Sequence, residues 1–334
     1  MQWSTEISIP KSPFPISHSS KIISMGSCFA QTMGKRMEDS KLDILVNPFG
    51  TIFHPTAIAD LLESGISGIH KGENLIVERG GLYFHYAAHS DLVGNSKEEL
   101  LEKLNTRIEL TGGYLKTGSH LILTFGTAWV YELKASQTLV ANCHKQSSDL
   151  FKKRLLSLTE MKRSLGDLFF KLSKLNPNLK IELTVSPVRH IKDGISENQL
   201  SKSLLRVLCS DLEKEFENTS YFPAYEIMMD ELRDYRFYKS DLIHPSEQAE
   251  IHIWEKWKSA FFTPLTQKKV NQIYKVNLEL NHRPLNPKSE AYHKFLQNLL
   301  QKLEQLNSEF DFLSEIQTTK HSLEKLDLGG GPIL

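Results

Sequence analysis

The chain has 334 residues, 40% of them hydrophobic, and its 40 basic and 40 acidic side chains cancel. With no block of basic residues, nothing in its charge calls for nucleic acid or an anionic membrane as a partner. Three cysteines are an odd number, against a disulfide framework and for a reducing compartment; with neither a secretory leader pattern nor an apolar run of about 18 residues, the expectation is a cytoplasmic, soluble protein.

Residues 1–20, rich in Pro and Ser, read as an extended lead-in. An apolar run at 21–26 predicts a strand, and Phe29, Met33 and Met37 share one face of a helix over 29–39. "LDILV" at 42–46 predicts a second strand ended by the turn "NPFG", and residues 55–65 a helix closing at Gly65. Residues 75–90 predict a hairpin around Gly80 and Gly81, followed by a helix at 96–110. "HLILTFG" at 120–126 has the continuous apolar run of a buried strand, with a short strand pair after it. Next come a helix at 159–174, a buried strand at 179–187, a helix at 196–217, a strand at 221–227 and a helix at 246–259. Alternation with connections too long for hairpins predicts an α/β fold, a parallel sheet covered on both faces. Beyond about residue 265, Tyr292, Phe295, Leu296, Leu299, Leu300, Leu303 and Leu306 recur at helical spacing. The expected units are therefore the lead-in at 1–20, a main domain at 21–264 and a helical extension at 265–334.

In an open parallel sheet, ligands sit at the carboxyl ends of the strands. Ser27 follows the first strand, Gly50 the second, Thr127 the strand at 120–126 and Arg189 the strand at 179–187. "YRFYKSDLIHPS" puts Asp241 and His244 three apart in a loop before a helix. A serine nucleophile needs a base, and that base needs a carboxylate to fix its tautomer. Ser27, His244 and Asp241 are candidates for those three roles, with the amides of Ser27 and Gly50 as oxyanion donors. Cys28, beside the serine, is expected to pack into the helix–sheet interior. Asn47, Thr127, His144 and Arg189 are expected to contact substrate. No H-E-x-x-H or C-x-x-C pattern occurs, so neither metal nor cofactor is expected.

The motifs "MGSCFA", "NPFGTIFHP", "TFGTAWVY", "VANCHK", "TVSPVRH" and "YFPAYEIMMDELRDYRFYKSDLIHPS" together resemble the GSCFA family, grouped with the SGNH (GDSL-like) hydrolases. The likeness runs over about residues 21–260 and implies a three-layer, flavodoxin-like α/β/α fold and a hydrolase ancestry. Ser27 takes the nucleophile place, Gly50 the glycine of the second block, and Asp241 and His244 the D-x-x-H block. One block departs: where those enzymes carry an oxyanion asparagine, this chain has Ala128, and Asn142 is the candidate replacement. The implied activity is ester hydrolysis on an acylated carbohydrate or other polar small molecule. Acyl transfer from the same site, or a silent binding protein on the same fold, are the alternatives.

Overall fold

A computed structural model describes residues 4–328; the remainder of the expected lead-in (1–3) and of the C-terminal extension (329–334) lies outside the described residues. In chain order come β1 (Lys21–Gly26), α1 (Cys28–Asp39), β2 (Asp43–Val46), α2 (Pro55–Ser67), β3 (Ile76–Arg79), β4 (Leu82–His85) and α3 (Lys97–Thr117). They are followed by β5 (His120–Phe125), β6 (Trp129–Leu133), β7 (Leu139–Val140), β8 (Phe151–Leu155), α4 (Leu158–Leu175), β9 (Lys180–Val185) and α5 (Ile195–Glu215). The chain then forms β10 (Thr219–Phe222), a single turn α6 (Ala224–Glu226), α7 (Glu247–Phe261), α8 (Pro264–Leu280), α9 (Glu290–Leu306) and α10 (Leu313–Leu328).

Five strands form one parallel sheet in the order β2-β1-β5-β9-β10. Counted within that sheet the order is 2-1-3-4-5, the flavodoxin-like winding, whose reversal falls between β1 and β5. Side chains alternate across a strand, and β1 divides accordingly. Ile23 and Met25 join an apolar cluster with Ile58 of α2, Ile108 of α3, Leu165 of α4 and Leu208 of α5. Ile22 joins another with Phe29 and Met33 of α1 and Trp254 and Trp257 of α7. Helices thus cover both faces, giving three α/β/α layers.

Several boundaries differ from expectation, each for a local reason. α2 does not stop at Gly65; it continues to Ser67 and is ended by Gly68 at φ 67°. Gly65 instead lies against Gly112 of α3, so its missing side chain permits a close helix–helix approach. The short strand pair gains a third member, β8, beside β6; its sequence "FKKRL" carries too few apolar residues to announce a strand. The last sheet strand is Thr219–Phe222 rather than 221–227. Among the described residues the extension holds three helices; Ile273, Val276, Leu296, Leu299 and Leu303 on the first two, with Phe312 just before the third, form a separate small core. Of the lead-in, Ile16 is fully buried and pairs with Phe262.

Glu182, in the middle of β9, is buried and accepts from the Trp257 indole N–H through one carboxyl oxygen, while the other has no partner among the described residues. Burial pushes its pKa from 4.5 to about 8. Between those values the unfolded chain has released a proton that the folded chain still holds, so stability falls as pH rises through that window. Glu182→Gln, which keeps an acceptor for Trp257, is expected to remove this loss. Its Tm should match the parent within about 1 °C near pH 4.5 and exceed it by several degrees, roughly 4 °C or more, near pH 9. Equal melting temperatures at both ends would show that the carboxyl ionises without cost.

Candidate active site

The turn from β1 into α1 lies at the sheet's reversal point. Gly26 has φ 151°, and a Cβ there would stand 2.2 Å from the Thr124 carbonyl oxygen of β5, so no other residue fits. Its amide donates to the Asn47 side-chain oxygen at 2.8 Å, and its carbonyl accepts from the Ile52 amide at 2.9 Å. The next residue, Ser27, is the N-cap of α1, its hydroxyl accepting from the Phe29 amide at 3.3 Å. Ser27 is 0% exposed. Cys28, expected to be the packing residue, is the more exposed of the pair. Burial nevertheless raises the pKa of its thiol; the charge of Asp91 adds to that, and Lys239 opposes it.

The loop before α7 holds a carboxylate–imidazole pair. Asp241 Oδ2 lies 2.7 Å from His244 Nδ1, while Asp241 Oδ1 accepts from the amides of Ile243 at 2.8 Å and His244 at 3.0 Å. The His244 amide, the His244 ring and the Ile243 amide together hold the Asp241 carboxyl well below the usual carboxylate range. A permanently ionised Asp241 fixes the proton of His244 on Nδ1, so Nε2 is the basic nitrogen. The pair is half-exposed. No hydrogen bond joins His244 to Ser27 among the described residues.

Arg189 belongs to this loop's support. Its amide donates to the Ile243 carbonyl at 3.1 Å, its guanidinium to that of Leu242 at 3.3 Å, and it lies 4.0 Å from the centre of the Tyr238 ring. Expected to contact substrate, it holds the Asp241–His244 loop through these bonds.

Three polar residues of α5 that sequence reasoning passed over hold the strand ends. Asn198, Ser201 and Lys202 lie three and four apart, on one helical face. Asn198 accepts from the His190 amide at 2.8 Å, and the Ser201 hydroxyl accepts from the Ala128 amide at 2.7 Å. The Lys202 ammonium donates to the carbonyls of Gly126 and Ser186, both at 2.7 Å, tying the ends of β5 and β9 together. The available signal was a polar "NxxSK" on the buried side of an otherwise amphipathic helix. His190 sits where this network meets the site: a Cβ on Gly126 would stand 3.2 Å from its Nε2. Burial first, then the charges of Lys202, His244 and Lys153, lower its pKa to about 3, so it is neutral.

The other expected residues divide. Asn47 is part of the elbow: its oxygen holds Gly26 and its amide nitrogen donates to Gln31 at 3.2 Å. The Thr127 hydroxyl is paired with Ser201 at 3.1 Å. His144 is buried, with Nδ1 3.0 Å from the Ser90 hydroxyl, Nε2 2.9 Å from the His85 carbonyl and its ring stacked on Phe84; it is a structural histidine. The two expected oxyanion amides are occupied. That of Ser27 donates to Thr124 at 3.1 Å and closes the sheet, and that of Gly50 donates to Asn47 at 2.8 Å and closes the "NPFG" turn. Asn142 lies in a groove wall with Phe53, Thr127 and His190. Its oxygen accepts from the His144 amide at 2.8 Å. It does not join the Ser27 elbow. Among the described residues no cluster of His, Cys, Asp or Glu is arranged to hold a metal ion.

An α/β/α protein with a capped serine at the switch point and an Asp–His pair on a neighbouring loop is the class that fold and site define. Residues 21–257 match the GSCFA family, and residues 273–325 match the GSCFA domain protein, C-terminal domain. The chain belongs to the GSCFA family. No curated protein matches it. Among the described residues no helix is long and apolar enough to cross a membrane.

Burial pulls the Lys202 pKa from 10.5 to about 7. Across that window the unfolded chain binds a proton the folded chain has lost, so this residue's contribution to stability rises with pH. Lys202→Met lacks that rise and leaves two buried carbonyls unpaired. The Tm difference, parent minus variant, is therefore expected to widen between about pH 7 and pH 10. A difference that stays flat in thermal melts would mean the buried amine remains charged throughout.

Proposed function

We propose that this protein is a serine-dependent hydrolase of esters, related to the SGNH hydrolases, acting on an acylated carbohydrate or another polar small molecule. The observation that carries the reading is the Asp241–His244 pair, with Nδ1 held at 2.7 Å by a carboxylate that is itself fixed by two backbone amides. That arrangement prepares a base, and the elbow serine is the hydroxyl the family motif sets beside it.

In this reading the Ser27 oxygen attacks the ester carbonyl carbon as His244 Nε2 takes its proton. Collapse of the tetrahedral intermediate expels the alcohol, which receives that proton and leaves an acyl-serine. Water, deprotonated by the same nitrogen, then releases the carboxylic acid and restores Ser27. Replacing water by a second alcohol gives acyl transfer. With the Ser27 and Gly50 amides occupied, the oxyanion falls to the first turn of α1, whose amides lack intrahelical acceptors and lie at the positive end of the helix dipole. Ser27 must also leave its bond to the Phe29 amide before it reacts, so opening of this cap is part of the cycle. The complete burial of Ser27 favours a second reading, a ligand-binding protein that keeps the fold without turnover.

Labelling with a fluorophosphonate probe distinguishes the two. Ser27 is expected to label, Ser27→Ala not at all, and Cys28→Ala nearly as well as the parent. Ser27→Ala also removes a helix cap, about 1 kcal/mol, so its fold should survive with a small drop in Tm. His244→Ala should slow labelling by about 100-fold or more, and Asp241→Asn less severely. Absence of labelling in the parent would sink the hydrolase reading; labelling lost only in Cys28→Ala would move the nucleophile to the thiol.

A further inference from the structure

Beside the strand ends runs a groove of about 540 Å³, walled by the small sheet on one side and by Phe53 and the 190–193 loop on the other. Trp129 and Tyr131 are two apart on β6 and therefore share a face. Lys153, which pairs with Tyr131 in register, reaches across them with its ammonium 5.6 Å from the Trp129 ring centre and 5.3 Å from that of Tyr131. Phe53 and Phe151 add two further rings to the lining. The charge is one-sided: Lys145, Lys153 and Lys192 line the groove against a single carboxylate, Asp193. Asp193 is paired with Lys153, while Lys145 and Lys192 have no anionic partner among the described residues. Cys143 also lines the groove; burial raises its thiol pKa, and Lys192 and Lys153 oppose that rise. Thr127 and His190, beyond the ends of β5 and β9, line the groove as well.

We propose that this groove binds a ring-bearing carboxylate, its ring laid on Trp129 and Tyr131 and its negative charge met by Lys145 and Lys192. Rings favour this surface because aromatic faces stack on planar or sugar rings and exclude water. A negative charge suits it because two lysines lack partners while the third is already neutralised. On the hydrolase reading proposed above, this ligand is the acid-bearing part of the ester, which makes the substrate class an anionic ester; the binding itself does not depend on turnover.

The test is direct binding to the full chain, in the parent and in Ser27→Ala, followed by ligand-observed NMR titration. Two matched pairs serve as probes, methyl β-D-glucuronide against methyl β-D-glucoside and phenylacetate against phenylacetamide. The anionic member of at least one pair is expected to bind about tenfold more tightly than its neutral partner. Lys192→Gln and Lys145→Gln, exposed positions whose exchange leaves the fold intact, should together reduce that preference to within about twofold. Trp129→Leu should weaken both members of the pair without changing their ratio. A preference confined to the sugar pair would identify a uronate-type ligand, and one confined to the aromatic pair an aryl acid; either supports the groove. Equal binding within both pairs, no binding by any of the four, or a preference that survives both lysine changes would overturn it. An anionic preference in a parent that fails to label with fluorophosphonate would keep the groove and remove the hydrolase.

Discussion

The arrangement of this protein depends on how closely β1 and β5 approach at their carboxyl ends. The Thr124 carbonyl of β5 comes so near Gly26 that a single methyl group would collide with it, and the same carbonyl accepts the Ser27 amide. That contact turns the chain at the point where the sheet reverses direction, so that α1 starts where the parallel strands leave a crevice. Asn47 locks the turn from the β2 side by accepting the Gly26 amide. The Thr124 contact that builds the elbow also occupies the Ser27 amide, one of the two expected to serve an oxyanion. A residue cannot close the sheet and stabilise a substrate charge with one N–H.

A second constraint lies in α5. An α/β sheet brings its strand ends together but leaves their loops without mutual hydrogen bonds, and buried carbonyls need donors. Lys202 meets this need for two loops at once, while Ser201 and Asn198 accept one further amide from each of the same two loops. The cost is a buried amine whose charge the interior disfavours. His190 is held neutral beside it, so the floor of the site carries donors and rings rather than fixed charge. Arg189 then fastens the Asp241–His244 loop over this floor through carbonyls and an aromatic face. Positioning here is done by side chains gripping backbone.

What was legible in the sequence followed from local chemistry. β1, β5 and β9 declare themselves through largely apolar runs, and the hairpin through Gly80–Gly81, both at positive φ. The Asp241–His244 pair was legible because its two members lie three residues apart and need only one loop to meet. What could not be read required long-range placement. Asn47, His144 and Thr127 look alike as polar residues near strand ends, yet each is claimed by a partner 16 to 74 residues distant. β8 was hidden because Lys152, Lys153 and Arg154 fill three of its five positions and leave no apolar run. Gly65 read as a helix stop, since a sequence does not show that Gly112 of another helix will lie against it.

The C-terminal helices bear on the site through α1. Asn277 of α8 donates to the Asp39 carbonyl at 2.8 Å, satisfying one of the carbonyls that the last turn of α1 leaves open. Lys41, just beyond that end, pairs with Glu315 of α10 at 2.8 Å. The opposite end of α1 begins at Ser27. A helix of 12 residues is about 18 Å long and nearly rigid on that scale, so its axis is set by what grips its two ends. The elbow grips one and the helical extension the other. The extension therefore takes part in setting the direction of α1 from the end opposite Ser27.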